Sequence, residues 1–158
     1  MEPLKRLAEP FPVNRIHWRV GVTTQDKKKG IALAYLDARD VMKRLDDVCG
    51  IYWQCRYPFT GCCEIGIHES ILGGGDKVGD PWLWRANGAG ETNVEAEKGQ
   101  FSDAFKRAAV MWNVGRYLYA LPNVWVELNQ YKKIITPPEL PVWATPEGYR
   151  DIIQARGE

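Results

Sequence analysis

An apolar stripe in residues 94–115 constrains the fold of this chain more than any other feature of its sequence. Its members recur at i, i+3, i+4, i+7 and i+11, which is the spacing of one face of an α-helix. They are Phe101, Ala104, Phe105, Ala108 and Trp112. We therefore predict an amphipathic helix that packs this stripe on a sheet and ends at Gly115. Lys106 and Arg107 lie off the stripe, so two adjacent cations face something other than the core.

Strict alternation marks the first strand. Apolar residues occupy every second position within 15–25, namely Ile16, Trp18, Val20 and Val22. A period of two is that of a strand with one apolar face. The apolar run 31–36 returns after the sequence DKKKG, so the two segments predict a β-hairpin with a lysine-rich tip.

The remaining segments complete an α+β pattern. A helix is expected over 37–50, because Asp37 can cap its start and Gly50 its end. The strand candidates that follow are 51–59, 61–72 and 82–91. The order β-β-α-β-β-β-α predicts an antiparallel hairpin and a three-strand meander packed against two helices. A short helix over 2–8, a strand near 124–128 and a last helix from Pro146 are also expected.

Length and composition indicate an ordinary globular protein. The chain has 158 residues, of which 45% are hydrophobic and 26% charged, enough for one domain with a buried core. We divide it into a domain over 1–125 and a proline-punctuated tail over 126–158, which packs on that domain or on a neighbouring subunit. No apolar run approaches the ~20 residues of a membrane span, and MEPLKRLAEPF lacks the apolar centre of a signal peptide. A cytoplasmic location is therefore expected.

Charge is unevenly distributed along the chain, although the net charge is only +1. Residues 1–36 carry seven Lys/Arg against three Asp/Glu, 37–97 carry six against eleven, and 98–121 carry four against one. If the fold brings the two basic segments together, they form a positive groove that suits an anionic polymer. The alternative is that the imbalance is only solvated surface.

The long helix carries the first candidate binding residues. Lys98, Ser102 and Lys106 are four residues apart and line one edge, with Arg107 beside them. Such cations can neutralise successive phosphates, and the serine hydroxyl can donate a hydrogen bond to another. Alternatively, Asp103 pairs with Arg107 four residues later and the face is merely solvated.

Two other places in the sequence offer contacts to an anion. Lys27, Lys28 and Lys29 form a basic cluster at the hairpin tip, although such a turn can also serve solubility alone. Arg116 and Tyr117, directly after the long helix, offer a cation and a ring that can stack on a base. The alternative is that this pair closes the core at the helix end.

Signatures of catalysis are scarce. The glycine-rich segment 73–80 lacks the G-x-x-x-x-G-K-[ST] pattern of a phosphate-binding loop and is expected to be a hairpin tip. Four cysteines without a C-x-x-C pair, and two histidines, do not form a zinc-ligand pattern. No metal site and no cofactor is expected. The carboxylates of 37–97 leave one alternative open, a small metal-dependent nuclease.

Two segments together resemble the Rad52 family of single-strand annealing proteins, and more closely its short phage and prophage members. The first is AYLDARDVMKRLDDVCG (34–50), followed by Trp53. The second is EKGQFSDAFKRAAVMWNVGRYLYALP (97–122). The resemblance covers roughly residues 12–125 and rests on the order of the motifs, their spacing and the shared β-β-α-β-β-β-α pattern.

The resemblance implies a fold that assembles into rings, with single-stranded DNA in a basic outer groove. The helix positions that contact the DNA backbone in the family correspond here to Lys98, Lys106 and Arg107. The hairpin with Lys27–Lys29 corresponds to one that supplies another basic contact. A further arginine of some members, one turn after Lys106, is Val110 here, and Arg116 is the candidate replacement.

The function that this resemblance implies is ATP-independent binding of single-stranded DNA and annealing of complementary strands in homologous recombination and DNA repair, without catalytic chemistry. The expected partners are single-stranded DNA and further copies of this chain in a ring. A host or phage single-strand binding protein is a candidate partner, and no membrane is involved. The expected location is the cytoplasm of a bacterial or phage-infected cell. The open alternatives are the nuclease and a plain oligomeric scaffold.

Overall fold

The computed structural model describes residues 1–74, 79–89 and 96–157. The helices in these ranges are α1 (Pro3–Ala8), α2 (Ala38–Cys49), α3 (Ala96–Met111) and α4 (Pro146–Ala155). The strands there are β1 (His17–Thr23), β2 (Lys29–Tyr35), β3 (Trp53–Arg56), β4 (Cys62–His68), β5 (Trp82–Gly88) and β6 (Val124–Glu127). The chain forms two compact units, each built from separate segments. Unit 1 holds residues 1–9 and 38–116, and unit 2 holds 10–37 and 117–158.

Unit 1 is centred on an antiparallel sheet that packs against α3. β4 lies in the middle of the order β3-β4-β5. Its alternate residues Cys63, Ile65 and Ile67 are fully buried, as the period of two requires. Phe105 of α3 and Trp112, directly after α3, complete this core, and the Trp112 indole donates a hydrogen bond of 2.9 Å to the Ile65 carbonyl.

Two further helices belong to unit 1. α2 buries Val41, Leu45 and Cys49, which recur every four residues, and it packs against α1 and α3. The Arg44 guanidinium donates hydrogen bonds to three backbone carbonyls at or just after the C-terminal end of α1. A helix as short as α1, which has 6 residues, is not stable by itself. These tertiary contacts therefore hold α1 in place.

Unit 2 is centred on the sheet β1-β2-β6. β1 and β2 form the predicted hairpin, and β6 pairs antiparallel with β2, which places Lys29 opposite Glu127. The strand expected near 124–128 is thus confirmed, and it completes the sheet. α4 begins at Pro146 as expected, and the Thr145 hydroxyl caps it by accepting a hydrogen bond of 3.2 Å from the Gly148 amide.

The apolar alternation of β1 breaks near its end. The pairing of β1 with β2 shifts in register between Val20 and Thr23, so β1 accommodates an extra residue as a bulge. Val22 is 68% exposed as a result. The expectation that Val22 shares the buried face of the strand is therefore wrong.

The stripe of α3 is buried except at its first member. The buried members are Ala104, Phe105, Ala108 and Trp112. Phe101 is 55% exposed, so the prediction that it packs on the sheet is wrong. Its ring meets Tyr57 edge-on, with centroids 5.1 Å apart. Tyr57 follows the last residue of β3, and Phe101 therefore lies at the margin of the sheet, where solvent reaches it.

The α+β class, the hairpin, the meander and the long helix are confirmed. The division at residue 125 and the packing of the tail stay predictions. The glycine-rich hairpin tip expected over 73–80 includes 75–78, which lie outside the described residues. Among the helices of the described ranges, none is long and apolar enough to cross a membrane.

Candidate nucleic-acid interface

The outer face of α3 carries two adjacent cations on unit 1. Lys106 and Arg107 lie between the buried residues Phe105 and Ala108, so the core fixes the backbone that presents them. Successive residues of a helix turn by about 100°, and the two side chains therefore leave α3 in different directions. The Lys106 side chain is 28% exposed, and Arg107 is exposed.

A carboxylate of the same helix lies beside Lys106. Asp103 Oδ1 is 3.8 Å from Lys106 Nζ, and the Asp103 side chain is 60% exposed. A pair at 3.8 Å with a solvent-exposed carboxylate contributes only ~0–1 kcal/mol, so a phosphate can compete with Asp103. Within the described ranges no carboxylate pairs with the Arg107 guanidinium. The alternative pairing of Asp103 with Arg107 is thus not formed.

The predicted row of residues along α3 is described in part. Ser102 is exposed and lies one turn before Lys106. Lys98 lies in the first turn of α3, but its side chain is outside the described part of the structure. The contribution of Lys98 to this edge therefore stays a prediction.

Arg116 folds back on the C-terminal end of α3. Asn113 and Gly115 have positive φ angles of 68° and 75°, which turn the chain sharply after the helix. The Arg116 guanidinium then donates hydrogen bonds to the carbonyls of Val110, at 3.1 and 2.9 Å, and Met111, at 3.2 Å. Arg116 therefore brings its charge to position 110, where the family resemblance implies an arginine.

Tyr117, the ring predicted to stack on a base or close the core, is engaged within unit 2. Its hydroxyl accepts a hydrogen bond of 3.0 Å from the Phe11 amide, and the residue is half-buried. This geometry favours the structural role that the sequence left open as the alternative.

The second set of candidate cations lies at the β1–β2 turn of unit 2, where Lys27, Lys28 and Lys29 are exposed. Asp26 Oδ1 accepts hydrogen bonds from the Thr24 hydroxyl at 2.7 Å and from the Lys28 amide at 3.0 Å. These bonds, the hydroxyl bond foremost, hold the pKa of Asp26 below its usual value of 3.8. The carboxylate therefore stays charged in neutral solution and fixes the turn.

A turn of the tail lies beside these lysines, which the sequence alone did not suggest. An open pocket of about 570 Å³ is lined by residues 26–29 and, from the last residue of β6 onwards, by 127–130, Lys132 and Ile135. The pairing of β6 with β2 brings the two turns together. Four lysines therefore line this pocket with the carboxylates of Asp26 and Glu127.

The tail turn has a defined conformation. Asn129 Oδ1 accepts hydrogen bonds from the amides of Tyr131, at 2.8 Å, and Lys133, at 3.0 Å. Lys132 between them adopts a positive φ of 61°. The available signal was the sequence QYKK (130–133), since basic residues beside an aromatic one are typical of nucleic-acid-binding segments.

Groups that would hold a metal ion do not gather in the part of the chain that the structure describes. No three His, Cys, Asp or Glu side chains there are placed to hold a metal ion. Burial raises the pKa of Cys49 to about 11 and that of Cys63 to about 12, so both thiols are protonated at neutral pH. The described ranges therefore contain no metal site that a metal-dependent nuclease could use.

Known proteins are similar to this chain over most of its length. The family described as Rad52/22 family double-strand break repair protein matches residues 2–135. The single-stranded DNA-binding protein DdrA of Deinococcus deserti is 38% identical over 151 residues, covering 92% of this chain and 71% of that protein. The protein of the same name from Deinococcus radiodurans is 33% identical over 151 residues, covering 92% and 69%. No solved structure matches the chain significantly.

Proposed function

Because this chain belongs to the Rad52/22 family of double-strand break repair proteins, we propose that it binds single-stranded DNA and anneals complementary strands without ATP. The two DdrA relatives, named as single-stranded DNA-binding proteins, support the ligand. The observation that carries the proposal is the adjacent pair Lys106 and Arg107, accessible on a helix whose opposite face is buried in the core of unit 1.

Binding of this kind needs charge at fixed positions rather than base-specific groups. α3 is packed on its sheet, so its cations cost little backbone ordering when a strand binds. Arg107 can hold a phosphate through two parallel N–H bonds, whereas Lys106 is a compact charge that can exchange Asp103 for a phosphate. Contacts to the backbone leave the base edges free for pairing, which annealing requires.

The lysine pocket of unit 2 offers a second set of backbone contacts. Lys27–Lys29 and Lys132 line it with Asp26 and Glu127, so its net charge is positive. The Asp26 hydrogen bonds hold the turn backbone, while the exposed lysine side chains remain free to follow a flexible strand. We assign this pocket to the same ligand, the phosphate backbone of single-stranded DNA.

Assembly would make many weak contacts act together. A chain with a net charge of +1 offers few phosphate contacts by itself. A homo-oligomeric ring raises the effective concentration of each site once a neighbouring copy holds the strand. We therefore include a ring in the proposal, in which annealing proceeds by positioning the strands and without a catalytic step.

Two measurements on the whole chain test this function. Fluorescence anisotropy with labelled oligothymidine gives the affinity and its salt dependence, with a log–log slope of about −0.7 per phosphate contact. Annealing of complementary oligonucleotides, followed by fluorescence quenching in EDTA without ATP, gives the activity. Lys106→Ala with Arg107→Ala should weaken binding by more than ~50-fold and abolish annealing, while light scattering shows an intact oligomer.

A matched control removes two charges elsewhere. Lys43→Gln with Arg156→Gln changes one exposed residue on α2 and one at the end of α4, and it should bind like wild type. Wild-type binding by the α3 variant would refute the site. Cleavage of labelled DNA in Mg²⁺ would support the nuclease alternative instead, and no binding even at low salt would leave the oligomeric scaffold.

A further inference from the structure

Two arginines from distant parts of unit 1 meet on one backbone carbonyl. Arg85 of β5 donates a hydrogen bond from Nη1 to the Met111 carbonyl at 2.6 Å. Arg116 donates from Nη2 to the same oxygen at 3.2 Å. The two guanidinium groups are therefore neighbours at the C-terminal end of α3.

The sheet and the core hold Arg85 in this position. It lies opposite Ile65 in the pairing of β5 with β4, which aims it at the end of the helix. Its guanidinium carbon lies 4.3 Å from the centroid of the buried Trp112 ring, a favourable cation–π contact. Arg85 is nevertheless exposed, so an incoming ligand can reach it.

The charges of these two arginines are not balanced by a carboxylate in the described ranges. The hydrogen-bond acceptors of the two side chains there are the carbonyls of Val110 and Met111. A helix C-terminus supplies about half a negative charge, which offsets only part of two full positive ones. A guanidinium has five N–H donors, so both groups keep donors for a further acceptor.

We propose that Arg85 and Arg116 form a clamp for a backbone phosphate of the bound single strand. The proposal rests on the single-stranded DNA binding proposed above, and it extends the Lys106 and Arg107 edge past the end of α3. Arg107 lies one helical turn, or about 6 Å, before Met111, so a strand on Arg107 can reach the clamp with a neighbouring phosphate. Two convergent guanidiniums suit the forked geometry of a phosphate.

The same hydrogen bonds also cap α3, and a purely structural role predicts a different result. A cap needs an N–H donor near the carbonyls, whereas a phosphate clamp needs the positive charge. Glutamine keeps an amide donor and removes the charge. The variant R85Q/R116Q therefore separates the two roles.

The experiment compares four whole-chain proteins: wild type, R85Q/R116Q, K106Q/R107Q and the control K43Q/R156Q. Oligothymidine binding is titrated by anisotropy over a range of NaCl concentrations, and Tm is measured for each protein. For R85Q/R116Q we expect binding ~10-fold weaker near physiological salt and a salt slope smaller by about 0.7 for the one phosphate contact that is lost. The control should keep the wild-type affinity and slope.

The outcomes distinguish the clamp from the function on which it rests. Unchanged affinity and slope in R85Q/R116Q, with K106Q/R107Q still weakened, would overturn the clamp alone. A wild type that does not bind would overturn both. If R85Q/R116Q melts well below wild type, R116Q alone is used, because the hydrogen bonds of the Arg116 side chain within the described ranges go to carbonyls at the helix end and not to the core. Weaker binding with a smaller slope then supports the clamp, and an unchanged affinity and slope overturn it.

A further arm identifies the source of the phosphate. Sodium phosphate and NaCl are compared at equal ionic strength by their effect on Tm. If inorganic phosphate stabilises wild type but not R85Q/R116Q, and both bind oligothymidine equally, the arginines hold a free anion and the DNA clamp is overturned. A loss of oligothymidine affinity without a phosphate effect on Tm supports the DNA clamp.

Discussion

The two groups of candidate cations differ in how the protein fixes them. On unit 1, Lys106 and Arg107 stand on a helix whose other face is buried. On unit 2, Lys27–Lys29 stand at a turn held by hydrogen bonds to Asp26. The helix presents few cations in set directions, whereas the turn presents more cations around an open pocket.

We infer from this difference that the two regions contribute differently to binding, the helix by orienting the strand and the turn by adding positive charge. An arginine on a rigid helix can fix the direction of a phosphate through two hydrogen bonds, whereas a lysine acts as a mobile point charge. We expect α3 to set the path of the strand and the lysine pocket to add affinity that salt screens readily.

The largest effect should follow from changes on α3. Lys106→Ala with Arg107→Ala should weaken oligothymidine binding by more than ~50-fold near physiological salt and abolish annealing, because it removes a bidentate contact and two charges. Circular dichroism should show an unchanged Tm, since neither side chain belongs to the buried core. If this variant loses less affinity than a variant of the three lysines at the β1–β2 turn, the turn and not α3 makes the main contact with the strand.

A smaller effect should follow from changes at the β1–β2 turn. Lys27→Gln, Lys28→Gln and Lys29→Gln together should weaken binding ~5- to 10-fold and reduce the salt slope by up to about 2, at about 0.7 per contact. Annealing at low salt should persist, because the α3 edge is intact. A variant that binds well but no longer anneals would show that the turn, and not the helix, positions the strand.

Removal of the carboxylate beside Lys106 should strengthen binding. Asp103→Asn removes a competing carboxylate whose pair with Lys106 is worth at most ~1 kcal/mol, so affinity should rise about two- to threefold. The matched control is Asp47→Asn, which breaks the pair with Lys43 on α2 and should leave binding unchanged. Weaker binding by the Asp103 variant would mean that Asp103 orients Lys106 rather than competing for it.

The smallest effect concerns pH and the turn itself. The pKa of Asp26 is lowered from 3.8, so its contribution to the turn is present above that value and is lost as pH falls through the lower folded-state value. The Lys28 amide resonance should therefore keep its hydrogen-bonded shift from neutral pH to below 3.8. A midpoint at or above 3.8 would contradict this hydrogen bond, and Asp26→Asn should abolish the titration.

Features confined to one element could be predicted from the sequence. The helical period gave the stripe from Ala104 to Trp112 and placed Lys106 and Arg107 off it, as the structure shows. The exposure of Phe101 could not be predicted in this way, because it depends on where the sheet ends beneath the helix. Local periodicity likewise gives no sign of the β1 bulge, since the shift arises from pairing with β2.

Contacts between distant segments account for the rest of the site. Arg85 reaches the end of α3 because β5 pairs with β4 in one register, and no motif around residue 85 signals this. Lys132 joins the lysine pocket because β6 pairs with β2, although the tail looked like a separate segment. The position of Arg116 near the end of α3 could be predicted, because Arg116 lies only a short turn after Met111 in the sequence.

The pairing of β2 with β6 also bears on how the protein is made. β2 ends at Tyr35 and β6 begins at Val124, so the hairpin leaves the ribosome long before the strand that will cover its outer edge. Until then, the unpaired N–H and C=O groups of that edge are a template for aggregation with other nascent chains. Lysines at the start of β2 and in the adjoining turn oppose such pairing by mutual repulsion. We therefore expect the lysine cluster that we assign to DNA to reduce aggregation of the nascent chain as well.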